Sequence, residues 1–318
     1  MYNEPIFLDA VFQERIWGGK NLASVYDYDL PYDRTGEAWV ISAHPNGPNE
    51  ILNGPLAGKT LADVWQQHGE LFNKNDKDDV EYPLLVKVID ANDDLSVQVH
   101  PDDTYAREIE GVPYGKTECW YVLQAEPDAE IVFGHHAKTK NELNQLMDEG
   151  KWDDLLQKKK VEAGDFIYVP SGTIHAIGKG IMILEIQQSS DITYRVYDYD
   201  RKDKQGHLRE LHLDKAKEVI TVPHTTSNFN REVEEDKGLI SEKLMEEQYF
   251  TVYHWKLDGE VTRELTEDFL QVSVIEGSGK IEIEGQFYAF SKGSHFIIPH
   301  TVKTYALHGQ AEMIVSHV

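Results

Sequence analysis

Residues 164–175 read Gly-Asp-Phe-Ile-Tyr-Val-Pro-Ser-Gly-Thr-Ile-His, and the fold turns on this stretch. An apolar run from Phe166 to Val169 stands between a Gly-Asp pair and a Pro-x-Gly group, so it reads as a short strand bounded by turn residues. Runs of the same kind recur at residues 82–90, 119–125, 129–134, 181–187, 250–258, 269–277, 280–285 and 296–299. The chain is therefore expected to be mostly β. Two segments depart from the pattern. Thr139-Lys-Asn-Glu142 is a capping-box pattern, and Leu143, Leu146, Met147, Leu155 and Leu156 recur at helical spacing around Gly150. This predicts a helical hairpin or two short helices over residues 139–160. Thr60 to Leu71, with Leu61, Val64 and Trp65 on one face, is a second helical candidate. The chain turns polar across residues 225–237, which places a domain boundary near 230: residues 1–230 form one domain and 231–318 another.

Composition narrows the partners. The 318 residues are 40% hydrophobic, enough to bury a substantial core. A formal charge of -25 with no dense Lys/Arg cluster disfavours nucleic acid, and a small anionic ligand would need local cations. The single cysteine, Cys119, excludes an internal disulfide. Neither a secretory leader pattern nor a membrane-length apolar run is present, so a cytoplasmic protein without a membrane partner is expected. None of these features fixes an oligomeric state.

Upstream, Ser96-Val-Gln-Val-His100 alternates in parity. On a strand Val97 and Val99 face one way to pack, while Ser96, Gln98 and His100 face the other. By itself such a trio fits either a hydrogen-bonded polar lining or a binding site.

The spacing of Gly164, Pro170, Gly172 and His175 resembles the second motif of the cupin superfamily. The resemblance implies a jelly-roll β-barrel in which Gly164-Asp165 turns into a strand, Pro170 and Gly172 form the next tight turn, and His175 is an inward metal ligand. Gln98-x-His100 stands where the superfamily's first motif has His-x-His, and Glu118 is the candidate acid. Imidazole, carboxylate and amide oxygen suit zinc. Ser96–Asp103, Pro113–Leu123, Val169–Gly178 and Ile183–Arg201, with Trp17-Gly-Gly19 and Gly36–Pro45, together resemble type I mannose-6-phosphate isomerase in its short bacterial form.

That resemblance implies one zinc per chain held by Gln98, His100, Glu118 and His175, with the active-site arginine at Arg195 and a lysine at Lys116. Longer members carry a lysine six residues beyond the arginine, where this chain has Arg201. Interconverting mannose 6-phosphate and fructose 6-phosphate moves a proton between C1 and C2. The chemistry needs a base, stabilisation of a developing oxyanion and a phosphate clamp. Arg195 and Lys116 supply cations, and Glu185 is the candidate proton carrier or else a carboxylate that orients them. Ser96 and Arg201 are the candidate substrate-binding residues, Arg201 lying in the polar run 197–204. A metal-dependent isomerase or epimerase of another sugar phosphate, and a sugar-binding cupin without turnover, are the competing readings; three chemical groups set around a metal argue against the last. His135-His136 face opposite ways on a strand, so an exposed turn is expected there.

Gly293 to Pro299 repeats the spacing of Gly164 to Pro170, but Thr301 and Thr304 replace the second glycine and the histidine. A second, metal-free jelly roll follows, with a hairpin turn expected at Gly277 and Gly279.

Overall fold

The computed structural model describes residues 2–74, 80–202 and 205–318. From Leu84 the chain crosses repeatedly between two antiparallel sheets. Leu84–Ala91 lies in a six-stranded sheet, Val97–Val99 in a five-stranded one, Glu118–Ala125 in the first again and Glu130–His135 in the second. After a helical insertion come Leu156–Lys160 in the five-stranded sheet, Phe166–Val169 in the six-stranded, then His175–Ala176, Ile181–Gln188 and Tyr194–Tyr197 in alternation. The six-stranded sheet is completed by Val11–Gly19 and Thr35–Ile41. The pairings give a jelly-roll sandwich; among the described residues no ladder closes it into a barrel.

Both faces of the central strands Leu84–Ala91 and Ile181–Gln188 are buried, which explains why they are apolar at most positions. Val86, Val88, Leu184, Ile186 and Cys119 share a core with Leu244, Phe250, Ile297 and Ile314 from the C-terminal part. On the opposite face Ile89, Val122 and Ile183 pack against Leu95, Ile131 and Ile177. Each fully buried Leu or Ile contributes about 1.5–3 kcal/mol. The C-terminal part is one eight-stranded sheet built on the long strands Thr251–Glu264, Leu270–Ile283 and Thr304–His317. Ile6–Phe7 from the N-terminus joins it, pairing with Phe296 and Ile297.

Two local expectations need correction. The capped helix forms, as Lys140–Asp148 with Thr139 Oγ1 accepting from Glu142 N at 3.2 Å, and a short helix follows at Trp152–Leu155. Residues 156–160 are instead a strand, because sheet pairing with Glu130–His135 overrides the helical spacing of Leu155 and Leu156. Gly277 and Gly279 lie within the unbroken strand Leu270–Ile283; the turn is Glu284-Gly285, at φ of 49° and 79°.

Candidate active site

The site is built from two facing rows of cross-strand neighbours. Across the five-stranded sheet Arg195 lies opposite Gln98, and Gln98 opposite His175. Across the six-stranded sheet the row is Trp39, Lys87, Glu185 and Trp120. Residues directly opposite sit about 4.5–5.5 Å apart at Cβ, so pairing alone gathers these side chains. The rows meet where the Trp120 and His175 rings lie 5.4 Å apart. Gly172, at φ 81°, makes the turn before His175 and donates its N–H to the His100 carbonyl at 2.8 Å, tying the two histidine segments together. A Cβ there would sit 2.4 Å from Thr221 Oγ1, so glycine is required on both counts.

His100 and His175 are each 1% exposed and Glu118 is fully buried. The Nδ1 atoms of the two rings contact backbone carbonyls, His100 to Ile192 at 2.7 Å and His175 to Thr173 at 2.9 Å. With Nδ1 as the donor, both Nε2 lone pairs point inward. They approach Glu118 at 3.5 Å and 3.3 Å, and the Gln98 amide lies 3.4 Å from His175 Nε2. Burial pushes both imidazoles down, His175 to about 4, so they are neutral near pH 7. His100 Nε2 is buried without a hydrogen-bond partner. Two neutral imidazoles with inward lone pairs, one of them orphaned, and a carboxylate within 4.8 Å fit a divalent cation. Among the described residues no other such cluster occurs.

Charge is balanced around this cluster by buried pairs. Lys116 Nζ is 3.1 Å from Glu118 Oε2, and Lys87 Nζ is 3.2 Å from Glu185 Oε2. The Trp120 indole N–H is shared between Glu118 and Glu185 at 3.1 Å each. Burial opposes the charge on Lys116, but Glu118 and Glu185 outweigh it and raise its pKa. Glu37 is penalised most by burial, yet Lys87 and Arg15 bring its carboxyl down to about 2. Arg15 forks onto it at 2.9 and 3.0 Å, and the Trp39 indole donates at 2.7 Å.

Above lies a cavity of about 320 Å3 whose lining includes Gln98, Lys87, Lys116, Glu185, Arg195 and Ser96. Arg195 Nε reaches Ser96 Oγ at 3.3 Å and Nη1 donates to the Glu210 carbonyl at 2.8 Å. Arg201 is not among the lining residues; its guanidinium binds Asp198 and the Asp94 carbonyl. Asp203 and Lys204, which end its polar run, lie outside the described residues. The expected exposed turn at His135-His136 needs correction: His136 is exposed, but His135 ends a strand, is 2% exposed and contacts the Thr221 carbonyl at 3.0 Å. Sequence reasoning missed Lys87, Glu37 and Arg209. The signal for Lys87 was present, a lysine in the middle of the apolar run Leu84–Ile89.

A jelly-roll sandwich with a His-Glu-His cluster between its sheets and an eight-stranded sheet packed behind it places the chain in the cupin fold. Residues 6–114 match "Phosphomannose isomerase type I, catalytic domain" and residues 240–318 match "Mannose-6-phosphate isomerase, cupin domain". The chain is 49% identical to mannose-6-phosphate isomerase ManA of Bacillus subtilis, covering all of both chains. It is 50% identical to the mannose-6-phosphate isomerase of Streptococcus mutans, over 99% of this chain and 98% of that one. The crystal structure of the Bacillus subtilis mannose 6-phosphate isomerase superposes with a TM-score of 0.95 at 46% identity, over 99% of each chain. The chain belongs to the type I mannose-6-phosphate isomerase family, and is an enzyme of the isomerase class. No helix among the described residues is long and apolar enough to cross a membrane.

Proposed function

We propose that the chain is a zinc-dependent aldose–ketose isomerase that interconverts mannose 6-phosphate and fructose 6-phosphate. The observation that carries this reading is the buried His100–Glu118–His175 cluster beside a cavity bearing both a carboxylate, Glu185, and several cations. Gln98, His100, Glu118 and His175 would hold the zinc, which when bound supplies a Lewis acid for the sugar's oxygens. Glu185 takes the proton from C2. The C–H electron pair becomes the C1–C2 double bond of an enediol, and the displaced charge falls on the C1 oxygen. Arg195 and Lys116 stabilise that charge. Returning the proton to C1, while the C2 hydroxyl gives up its proton to the C1 oxygen and the C2 oxygen becomes the carbonyl, gives the ketose. Lys87, at 3.2 Å, and the Trp120 indole hold the Glu185 carboxylate in place between transfers.

The test is a coupled assay on mannose 6-phosphate, glucose 6-phosphate and ribose 5-phosphate, with bound metal quantified in the same preparation. Turnover of mannose 6-phosphate well above the others, with about one zinc per chain, is the expected result. A preference for another sugar phosphate, or full activity after complete metal removal, overturns the reading.

A further inference from the structure

We propose that Arg209, held in place by Asp198, is the residue that grips the substrate's phosphate. This rests on the sugar-phosphate reading above. Arg209 lines the cavity together with Arg195, Ser96 and Thr193. Its Nε and Nη2 donate to the two carboxylate oxygens of Asp198, at 2.7 Å and 2.5 Å, a bidentate arrangement that fixes the guanidinium plane. Asp198 is 5% exposed and takes a third bond from Arg201 Nη2 at 2.5 Å. Arg201 therefore acts behind the cavity wall as a second support for Asp198, and the arginine that reaches the cavity is Arg209.

The charges at this end of the cavity do not cancel. Of the lining carboxylates, Glu37 is taken by Arg15 and Glu185 pairs with Lys87, while Asp191 is half exposed to solvent, accepting from Asn46 Nδ2 at 2.6 Å and lying 3.8 Å from His44 Nε2. Among the described residues Arg195 hydrogen-bonds to a hydroxyl and a carbonyl, and Arg209 shares its carboxylate, Asp198, with Arg201, which also lies 3.9 Å from Asp93. Arg195 is also depressed in pKa, by burial first and then by the positive charge of Arg209. Two cations sharing a partly enclosed space are mutually unfavourable until an anion enters, and a phosphate dianion has the charge and the paired oxygens that planar guanidinium forks recognise.

Position agrees with chemistry. In the five-stranded sheet the order is Tyr194–Tyr197, Val97–Val99, His175–Ala176, so Arg195 stands two strands from His175. Residues 209–212 run along the outer side of that edge strand, the His212 N–H donating to the Arg195 carbonyl at 2.8 Å. Arg209 thus lies on the far side of Arg195 from His175, which leaves Arg195 between the phosphate and the metal cluster. In a hexose 6-phosphate the phosphate is likewise the group farthest from C1 and C2.

Arg209→Ala should raise KM for mannose 6-phosphate at least tenfold with kcat within about threefold, since the phosphate is bound alike in ground and transition states. The inhibition constant of inorganic phosphate should rise by a similar factor, with zinc content unchanged. Arg209→Lys should recover part of both, and Asp198→Asn should raise KM while the Asp198→Asn/Arg209→Ala pair is no worse than Arg209→Ala alone. If the alanine variant fails to fold, Arg209→Gln serves in its place. KM and phosphate inhibition both unchanged in a folded variant would overturn the assignment. Should the wild type not isomerise mannose 6-phosphate, calorimetric titration with inorganic phosphate still decides: weaker binding by the variant supports the anion site and equal binding sinks it.

Discussion

Lys87 occupies a position where the strands on either side of it are apolar, and it is 6% exposed. An ammonium is tolerated there because Glu185 lies 3.2 Å away and the Trp39 ring face lies 5.4 Å from Nζ. Removing one partner of a buried pair leaves an uncompensated charge and costs about 3–5 kcal/mol. Lys87→Met should therefore lower unfolding free energy in urea by that order, and Lys87→Met/Glu185→Gln should be less damaging than the sum of the single changes. Additive losses would show that the two side chains are not coupled. At Arg195 the expectation is kinetic. If its guanidinium stabilises charge that develops as the proton leaves carbon, Arg195→Ala should lower kcat by about 100-fold or more with a modest change in KM. Lysine should rescue poorly, and metal content should remain that of wild type; an unchanged kcat ends the catalytic role. His100→Ala and His175→Ala should instead lose metal, by elemental analysis, while keeping the far-ultraviolet signature of the sheets. At this scale the sequence was legible wherever chemistry sits in a spaced motif, as with His100, Glu118 and His175. It was opaque where the partner arrives from a distant strand: nothing near residue 87 in the chain announces Glu185, and nothing near 209 announces Arg195.

The strands show the same division. Short runs bounded by Gly and Pro were legible because each carries its own turn chemistry. The long strands of the C-terminal sheet were not, since Gly277 and Gly279 resemble turn glycines yet serve a different need. Strand Leu270–Ile283 pairs with His295–Ile298 along its first half and with Gln286–Ser291 along its second. The change of partner falls at these glycines, where Gly279 lies opposite Gly309 and Gly309 opposite Gly259. Three glycines abreast let the backbones approach: a Cβ on Gly279 would be 2.3 Å from the His308 carbonyl oxygen. Gly277 is held at φ 75°, and a Cβ there would be 2.1 Å from the Gln310 carbonyl oxygen. Gly277→Ala therefore meets both strain and clash. A loss of about 2–4 kcal/mol is expected by denaturant titration, with kcat unaffected under conditions where the variant is folded. A neutral substitution would mean that the strand relaxes at this point without needing the glycine.

The two halves of the molecule are joined by pairing as well as by packing. Ile6–Phe7 completes the C-terminal sheet, and the core that includes Val86 and Leu184 also includes Phe250 and Ile314. A domain boundary read from the polar stretch after residue 224 marks where the chain changes composition, but the N-terminal crossover has no local signature, because a two-residue strand is too short to show a period. Between the halves sits His295. Its Nδ1 contacts Ser273 Oγ and its Nε2 contacts Tyr28 OH, both at 2.9 Å, and burial pushes its pKa down to about 3. An unfolded histidine titrates near 6.5. Between these values the unfolded chain takes up a proton that the folded one refuses, so stability present above about pH 6.5 is lost as pH falls toward 3, at about 1.4 kcal/mol per pH unit. Other groups titrate in the same range, so the informative quantity is a difference. From pH 7 to pH 5 the wild type should lose about 2 kcal/mol more than His295→Gln, which keeps a polar side chain and removes the titration. Urea unfolding of both proteins at the two pH values measures this directly. Equal losses would mean that His295 accepts its proton in the folded protein, and that the contact with Tyr28 opens at least as readily as the chain unfolds.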